Sequence, residues 1–403
     1  MKKIKIVQQL WNVDFTKFRI PDFTFIWILV AGFITYQGLT QEFPLDSFEL
    51  FNRYIELHPS FANFKYAMYL LAFLLFLFVL AITLISEKRG KETIGRDKLN
   101  AISVSHFLVN IIDIGLVALL FFGTETIIEF ATGEKFRFIS LLTINGPFHP
   151  FQTLIDFYNL HFPTFIKLPY LLAIFVTIVL ADLPIYISHY LVHWSRFLWF
   201  VVHRSHHSPE YLHPFGAGPV FSLSFFIAVP FFLVKLAISK FIYTEPLLFE
   251  LLIIQILIFI TEKFNHSSAL YKLAFKNKFI FSTFSFFGSG PYHITHHSAK
   301  EGEEIVNLAN FGFNFWDRLF GTYQKPDKEC PPLGLTHQPK IKLNPFRLYL
   351  SGFMTILYEL KHNEIKHWFK IIFGSVYYSP PITRDFLIES YPDQKLYSTR
   401  LGI

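Results

Sequence analysis

Between Tyr66 and Ile85 the chain runs for twenty residues, mostly Leu, Phe, Ala and Ile, without a single charge. That length matches an α-helix crossing a hydrocarbon core of ~30 Å. The run recurs in weaker form near residues 23–39, 101–123 and 168–189, and as a pair of stretches at 217–239 and 247–261. With 52% hydrophobic, 19% aromatic and only 16% charged residues, the composition lies in the membrane class. The expected fold is all-α: a polytopic membrane helical bundle of about four spans plus a membrane hairpin.

Charge distribution sets the expected orientation. Lys2, Lys3, Lys5, Lys17 and Arg19 precede the first run, and no signal-peptide cleavage site is evident, so the first span is expected to remain attached. The loop after that span is acidic (Glu42, Asp46, Glu49, Glu56), whereas the loop Glu87 to Lys98 carries Lys88, Arg89, Lys91, Arg96 and Lys98. The positive-inside rule then puts the N-terminus in the cytoplasm. A net charge of +6 is explained by these loops, and no nucleic-acid partner is expected. Lys235 and Lys240, near the outer turn of the hairpin, weakly violate the charge rule. The single cysteine, Cys330, excludes an intrachain disulfide and a cysteine-ligated iron–sulfur cluster.

Metal chemistry must then rest on histidine, and the histidines are patterned. Five of them fall in the nineteen residues from His189 to His207. His189 and His193 stand four apart, on one helical face. His203, His206 and His207 follow, and His293, His296 and His297 repeat their spacing. His266 lies between. Asp182, seven residues before His189, returns to the same face, where its carboxylate could orient an imidazole. Nine histidines exceed the needs of one four-coordinate ion, and no cysteine or carboxylate accompanies them in the motifs. Spacing therefore points to a two-metal site ligated by neutral imidazole, without naming the metal. Pro184 is expected to kink the helix before the first ligands.

Other polar residues read as structural. His106, Asn110 and Asp113 share a face within an apolar run and suit interhelical hydrogen bonding. His149 and His161 are ordinary loop histidines, His58 and His337 carry no signal, and His213 is an outer-shell contact or a turn residue. Glu359 with His362 and Glu364 with His367 have the Glu-x-x-His spacing of carboxylate-bridged bundles. On one continuous helix their five-residue offset would turn the two histidines about 140° apart. The tail from Asn344 to Tyr378 is expected to form interfacial helices. The expected division is 1–164, an N-terminal transmembrane region; 165–325, a catalytic domain; and 326–403, a C-terminal interfacial tail.

Taken together, the segment Asp182 to His193, HRSHHSPEY (203–211), NHS (265–267), HITHH (293–297) and NLANFGFNFWDRLFGTY (307–323) resemble the fatty acid hydroxylase superfamily, also called the sterol desaturase family. The resemblance implies a helical membrane stem beneath a cytosolic helical cap. It implies a centre of two iron ions held by His189, His193, His203, His206, His207, His266, His293, His296 and His297, with Asp182 orienting a ligand. It also implies O2 as co-substrate and a lipid from the bilayer as substrate. The C–H bond attacked, and whether it is hydroxylated or desaturated, vary within the family. Asn310, Trp316, Asp317 and Arg318 belong to the closing motif and are expected to be structural. The His-Pro-Gly-Gly signature of a b-type cytochrome is missing, so electrons are expected from an external carrier, a ferredoxin or a b-type cytochrome with its reductase. Two readings from other classes compete: a membrane hydrolase with a two-zinc site, and a metal permease using the histidines for transport.

Overall fold

The computed structural model describes residues 11–17, 65–133, 150–214, 221–248, 250–251, 265–286, 288–300, 302–309, 314–335 and 340–390. The expected first span, the acidic loop, most of the second arm of the hairpin, and His58, His149, His337 and Asn310 lie outside them.

The described chain is mostly helical. Its only paired strands there are β1 (Lys340–Ile341) and β2 (Ile388–Ser390), antiparallel with Lys340 opposite Ser390. The long apolar run forms α1 (Lys65–Ile94), and α2 (Arg96–Thr132) follows after a single residue, Gly95. The expected basic loop from Glu87 to Lys98 is thus almost entirely helical. Its charges pair along the helix, Lys91 with Glu87 at 3.0 Å and Arg89 with Glu92 at 3.2 Å, which supports the helical backbone. The chain reverses only at Gly95, whose φ of 84° an L side chain rarely adopts.

At 37 residues α2 is about 55 Å long. Its first half is buried, with Leu99, Ile102, His106, Val109 and Asp113 all within the core. Asp113 accepts a hydrogen bond from Tyr349 at 3.0 Å, so this member of the polar stripe serves interhelical bonding. After α3 (Pro150–His161) comes α4 (Tyr170–Trp194), which continues through Pro184. Among the described residues, α4 is the one helix long and apolar enough to cross a membrane. It packs along α7 (Phe221–Ile242), with Ala181, Leu236, Leu248, Leu251 and Tyr158 forming a shared core. Lys235 and Lys240 of α7 are buried, and the Lys240 ammonium donates to Thr164 Oγ1 and to the Thr244 carbonyl.

At the C-terminal end of α4 the chain enters a short helical segment: α5 (Arg196–Leu198), a π-helical turn (Trp199–His203) and α6 (Arg204–His207). Four further short helices close over it: α8 (Ser268–Lys276), α9 (Lys278–Phe286), α10 (Pro291–His296) and α11 (Phe315–Phe320). The chain then forms α12 (Pro345–His362) and α13 (Ile365–Phe373).

These last two helices correct the expectation of one continuous helix carrying both Glu-x-x-His pairs. Asn363 leaves the helical region. Its side-chain amide donates to the carbonyls of Glu359 and Ile382, which ends α12 there. The inner face of α12 is core, with Leu348 and Ile356 packed against Trp199, Phe200 and Val201 of the π turn. The outward face of α13 carries exposed Ile365, Trp368, Phe369 and Phe373.

Candidate metal centre

His189 and His193 occupy the last turns of α4, one turn apart and facing the short helices that follow. Their neighbours in sequence are re-phased twice, first at Ser195, whose extended backbone (ψ 125°) ends α4, and then by the π turn, in which the Arg204 N–H reaches the Trp199 carbonyl five residues back. Such a turn inserts one residue into the helix and rotates everything downstream by about 100°. His203, at the end of the turn, and His206 and His207, in α6, consequently point toward different partners. In α10, His293 and the capping residue His297 share one face at a spacing of four, and His296 is turned about 60° from His293 and about 100° from His297. Gly290, with φ 56°, and Pro291 at the first helical position start this helix abruptly.

The structure brings all nine predicted histidines together, in three overlapping groups. His189, His193, His203 and His296 form one; His206, His266, His293 and His297 form a second; His207, His296 and His297 form a third that joins them. Within each group the candidate ligand atoms lie within 4.8 Å of one another. His266 Nε2 lies 3.2 Å from His206 Nε2, 3.1 Å from His293 Nε2 and 3.2 Å from His297 Nε2, and the last two are 3.2 Å apart. In the first group His189 Nε2 is 3.3 Å from His203 Nε2, which is 3.0 Å from His207 Nε2. The Trp199 indole lies beside His193, His203 and His207.

Hydrogen bonding alone cannot account for the second group. An imidazole Nε2 either carries a proton or offers a lone pair. In the triangle of His266, His293 and His297, at least one of the three contacts must therefore set like against like. A cation at the centre removes the conflict by accepting every lone pair. Nitrogen ligands about 2.0–2.1 Å from a metal lie roughly 2.9 Å apart at right angles and 3.4 Å apart on a tetrahedron, and the observed separations fall in that interval. The site thus fits a metal by both its donor set and its spacing. Burial, reinforced by the neighbouring imidazoles, pushes His206, His293, His296 and His297 well below the ordinary imidazole range. All four are neutral at pH 7, the form that ligates.

Two of the rings are oriented by backbone. His189 Nδ1 donates to the Leu308 carbonyl at 2.7 Å and His296 Nδ1 to the Val306 carbonyl at 2.9 Å, so that each Nε2 carries a lone pair. Between these carbonyls Asn307 adopts a positive φ of 53°, and its side chain bonds to the Tyr292 and Gln324 backbone. Asp317, fully buried, accepts from Leu308 N and Ala309 N at 2.7 Å each, from Thr322 Oγ1 at 2.6 Å and from the Tyr292 hydroxyl. Trp316 Nε1 donates to the Val179 carbonyl, tying this loop to α4. Val306 and Leu308 act through main-chain atoms that no side-chain pattern announces. The polar residues around them, in the Asn307–Tyr323 stretch, are the signal that was visible.

Asp182 is buried on α4 two turns before His189, and its charge acts on Lys235 and Tyr292. Among the described residues no carboxylate or cysteine joins the three groups. His213 lies outside them, buried beside Glu87 of α1 and held at about 4 by that burial. His106 and His161 are also outside. So are His362, which donates to the Tyr358 carbonyl, and His367, 2.6 Å from the Tyr378 hydroxyl.

Comparison with known proteins agrees with this geometry. Searches of the curated proteins and of the solved structures gave no match. The model of the fatty acid hydroxylase family, in contrast, matches residues 174–322. This stretch, which carries all nine clustered histidines, is a fatty acid hydroxylase domain.

Proposed function

We propose that the chain is a membrane-bound oxygenase that hydroxylates or desaturates a lipid C–H bond. The observation that carries this reading is the pair of four-histidine groups, joined through His207, inside the matched domain. His189, His193, His203 and His296 would hold one iron ion and His206, His266, His293 and His297 the other, with His207 between them. When bound, two iron ions supply activation of O2 with two electrons. Hydroxylation consumes one lipid C–H bond, O2, two electrons and two protons and gives C–OH and one water; desaturation breaks two adjacent C–H bonds with the same O2, electrons and protons and gives a C=C bond and two waters. The electrons come from an external carrier.

The chain's own residues supply binding, orientation and dryness. The Leu308 and Val306 carbonyls fix the tautomers of His189 and His296. The buried rings, with Trp199 beside them, exclude water from the centre. The site stands at the end of α4, which at 25 residues is about 37 Å long. If α4 spans the bilayer, the centre sits at the membrane boundary, within reach of an aliphatic substrate entering from the lipid. The exposed aromatic faces of α9 and α13 suit a position against head groups. A multi-pass arrangement with the N-terminus and the histidines on the cytoplasmic side completes the proposal.

Elemental analysis of the purified chain, paired with an O2- and reductant-dependent assay on extracted lipids read by mass spectrometry, tests this. About two irons per chain, with products shifted by one oxygen or two hydrogens, is the expected result. Tightly bound zinc, with iron-loaded protein inert, would turn the assignment toward a two-zinc hydrolase.

A further inference from the structure

The nine histidines lie within residues 174–322, yet the segment that bears three of them is gripped from outside that range. The geometry points to the C-terminal segment, Pro345 to Ser390, as a positioning device for the metal centre, acting through two buried ion pairs that bracket the π turn. Arg196 stands just before the turn, with its side chain and that of Glu359 fully buried. The two make a fork-to-fork pair, 2.7 Å at each prong. Arg196 Nε also donates to the Tyr378 carbonyl at 2.9 Å, and Thr383 Oγ1 donates to Glu359 Oε1 at 2.5 Å. Arg204 stands just after the turn. Its guanidinium meets both oxygens of Asp385, again out of solvent.

Phe200, inside the turn, lies against both guanidiniums, 4.7 Å from Arg196 and 4.8 Å from Arg204. Gly352 of α12 packs directly on the Phe200 carbonyl. Backbone bonds complete the grip, from Arg196 N to the Gly374 carbonyl and from Val376 N to the Trp194 carbonyl.

The placement argues for register. A buried ion pair costs desolvation that its attraction barely offsets, so two of them are weak devices for net stability. A π turn is the least regular part of a helix, and this one sets the phase of His203, His206 and His207. Those three residues serve all three histidine groups. A fixed charge partner at each end of the turn holds it to one phase, which an apolar contact would not do.

The inference rests on the metal-centre reading above, and the experiment separates the two. Full-length wild type, Asp385→Asn, Arg204→Lys and Glu359→Gln are purified metal-free in detergent and titrated with cobalt(II). Affinity and the d–d absorption spectrum are read alongside Tm. Glu389→Gln, which removes an exposed partner of Lys340, is the control. The expected result is two cobalt ions per wild-type chain. The clamp variants should bind about tenfold or more weakly, the loss typical of removing an outer support of a metal ligand, with altered band shape. The control should match wild type. Should Glu359→Gln fail to fold, Asp385→Asn and Arg204→Lys decide. Folded clamp variants with wild-type cobalt affinity and spectrum overturn the inference and leave the centre standing. A folded wild type that takes up no cobalt overturns the centre and the inference together.

Discussion

The carbonyl oxygen of Leu308 accepts the Nδ1 proton of His189 at 2.7 Å, and the amide of the same Leu308 donates to Asp317 at 2.7 Å. One peptide segment therefore connects a histidine at the end of α4 to a buried carboxylate in the closing motif. Asp317 also gathers Ala309 N, Thr322 Oγ1 and the Tyr292 hydroxyl. An amide in its place keeps one acceptor oxygen and sets an NH2 against donors. Asp317→Asn should lower stability by about 2–3 kcal/mol and reduce metal occupancy, because the carbonyls facing His189 and His296 move. Thermal unfolding and elemental analysis check this. An unchanged Tm with full occupancy would show that the motif does not support the centre.

The two groups share no residue apart from the link through the third, so each should lose metal separately. His193 belongs to the first group alone and His266 to the second alone. His193→Ala and His266→Ala should each retain about one metal per chain and abolish turnover. Loss of both ions from either variant would mean that the sites load as a unit.

Much of this centre was legible as spacing, and the reasons are local. His189 with His193 and His293 with His297 are four apart, which fixes a shared face on any helix. The partition among groups was not legible, because it depends on the break at Ser195 and on the π turn that follows it, both between His193 and His206. The clamp was not legible either, since Arg196 and Glu359 are 163 residues apart and neither lies in a motif. The stretch from Glu87 to Lys98 reads in sequence as a loop because its charges resemble a solvated connection. They pair at spacings of three and four, and the helix continues through them to Gly95.

Acid should weaken the metal-free protein, and the sign follows from the buried imidazoles. Burial holds His206, His293, His296 and His297 below their unfolded value of 6.5. Between the two values the unfolded chain binds more protons than the folded one, so stability rises with pH. The contribution is fully present above about 6.5 and is lost as pH falls. Chelator-treated protein should therefore show a falling Tm from pH 7.5 to 5.5. Metal-loaded protein should stay higher at every pH, because ligation further stabilises the neutral rings. A metal-free Tm that is flat over this interval would mean the rings are not held neutral by the fold.

The contact between α12 and the π turn gives a test that touches neither a charge nor a ligand. A Cβ built on Gly352 would overlap the Phe200 carbonyl group, and the obstacle is backbone on both sides. No rotamer change relieves it, so α12 or the turn has to move. Gly352→Ala should destabilise by about 1–3 kcal/mol, the range for overpacking a well-filled core. Gly115, in α2, has nothing within 4 Å of an added Cβ. Gly115→Ala should be neutral or stabilising by up to about 1 kcal/mol through helix propensity. Tm values of the two variants measured side by side decide the matter. If Gly352→Ala matched Gly115→Ala, α12 would not be seated on the turn that carries His203.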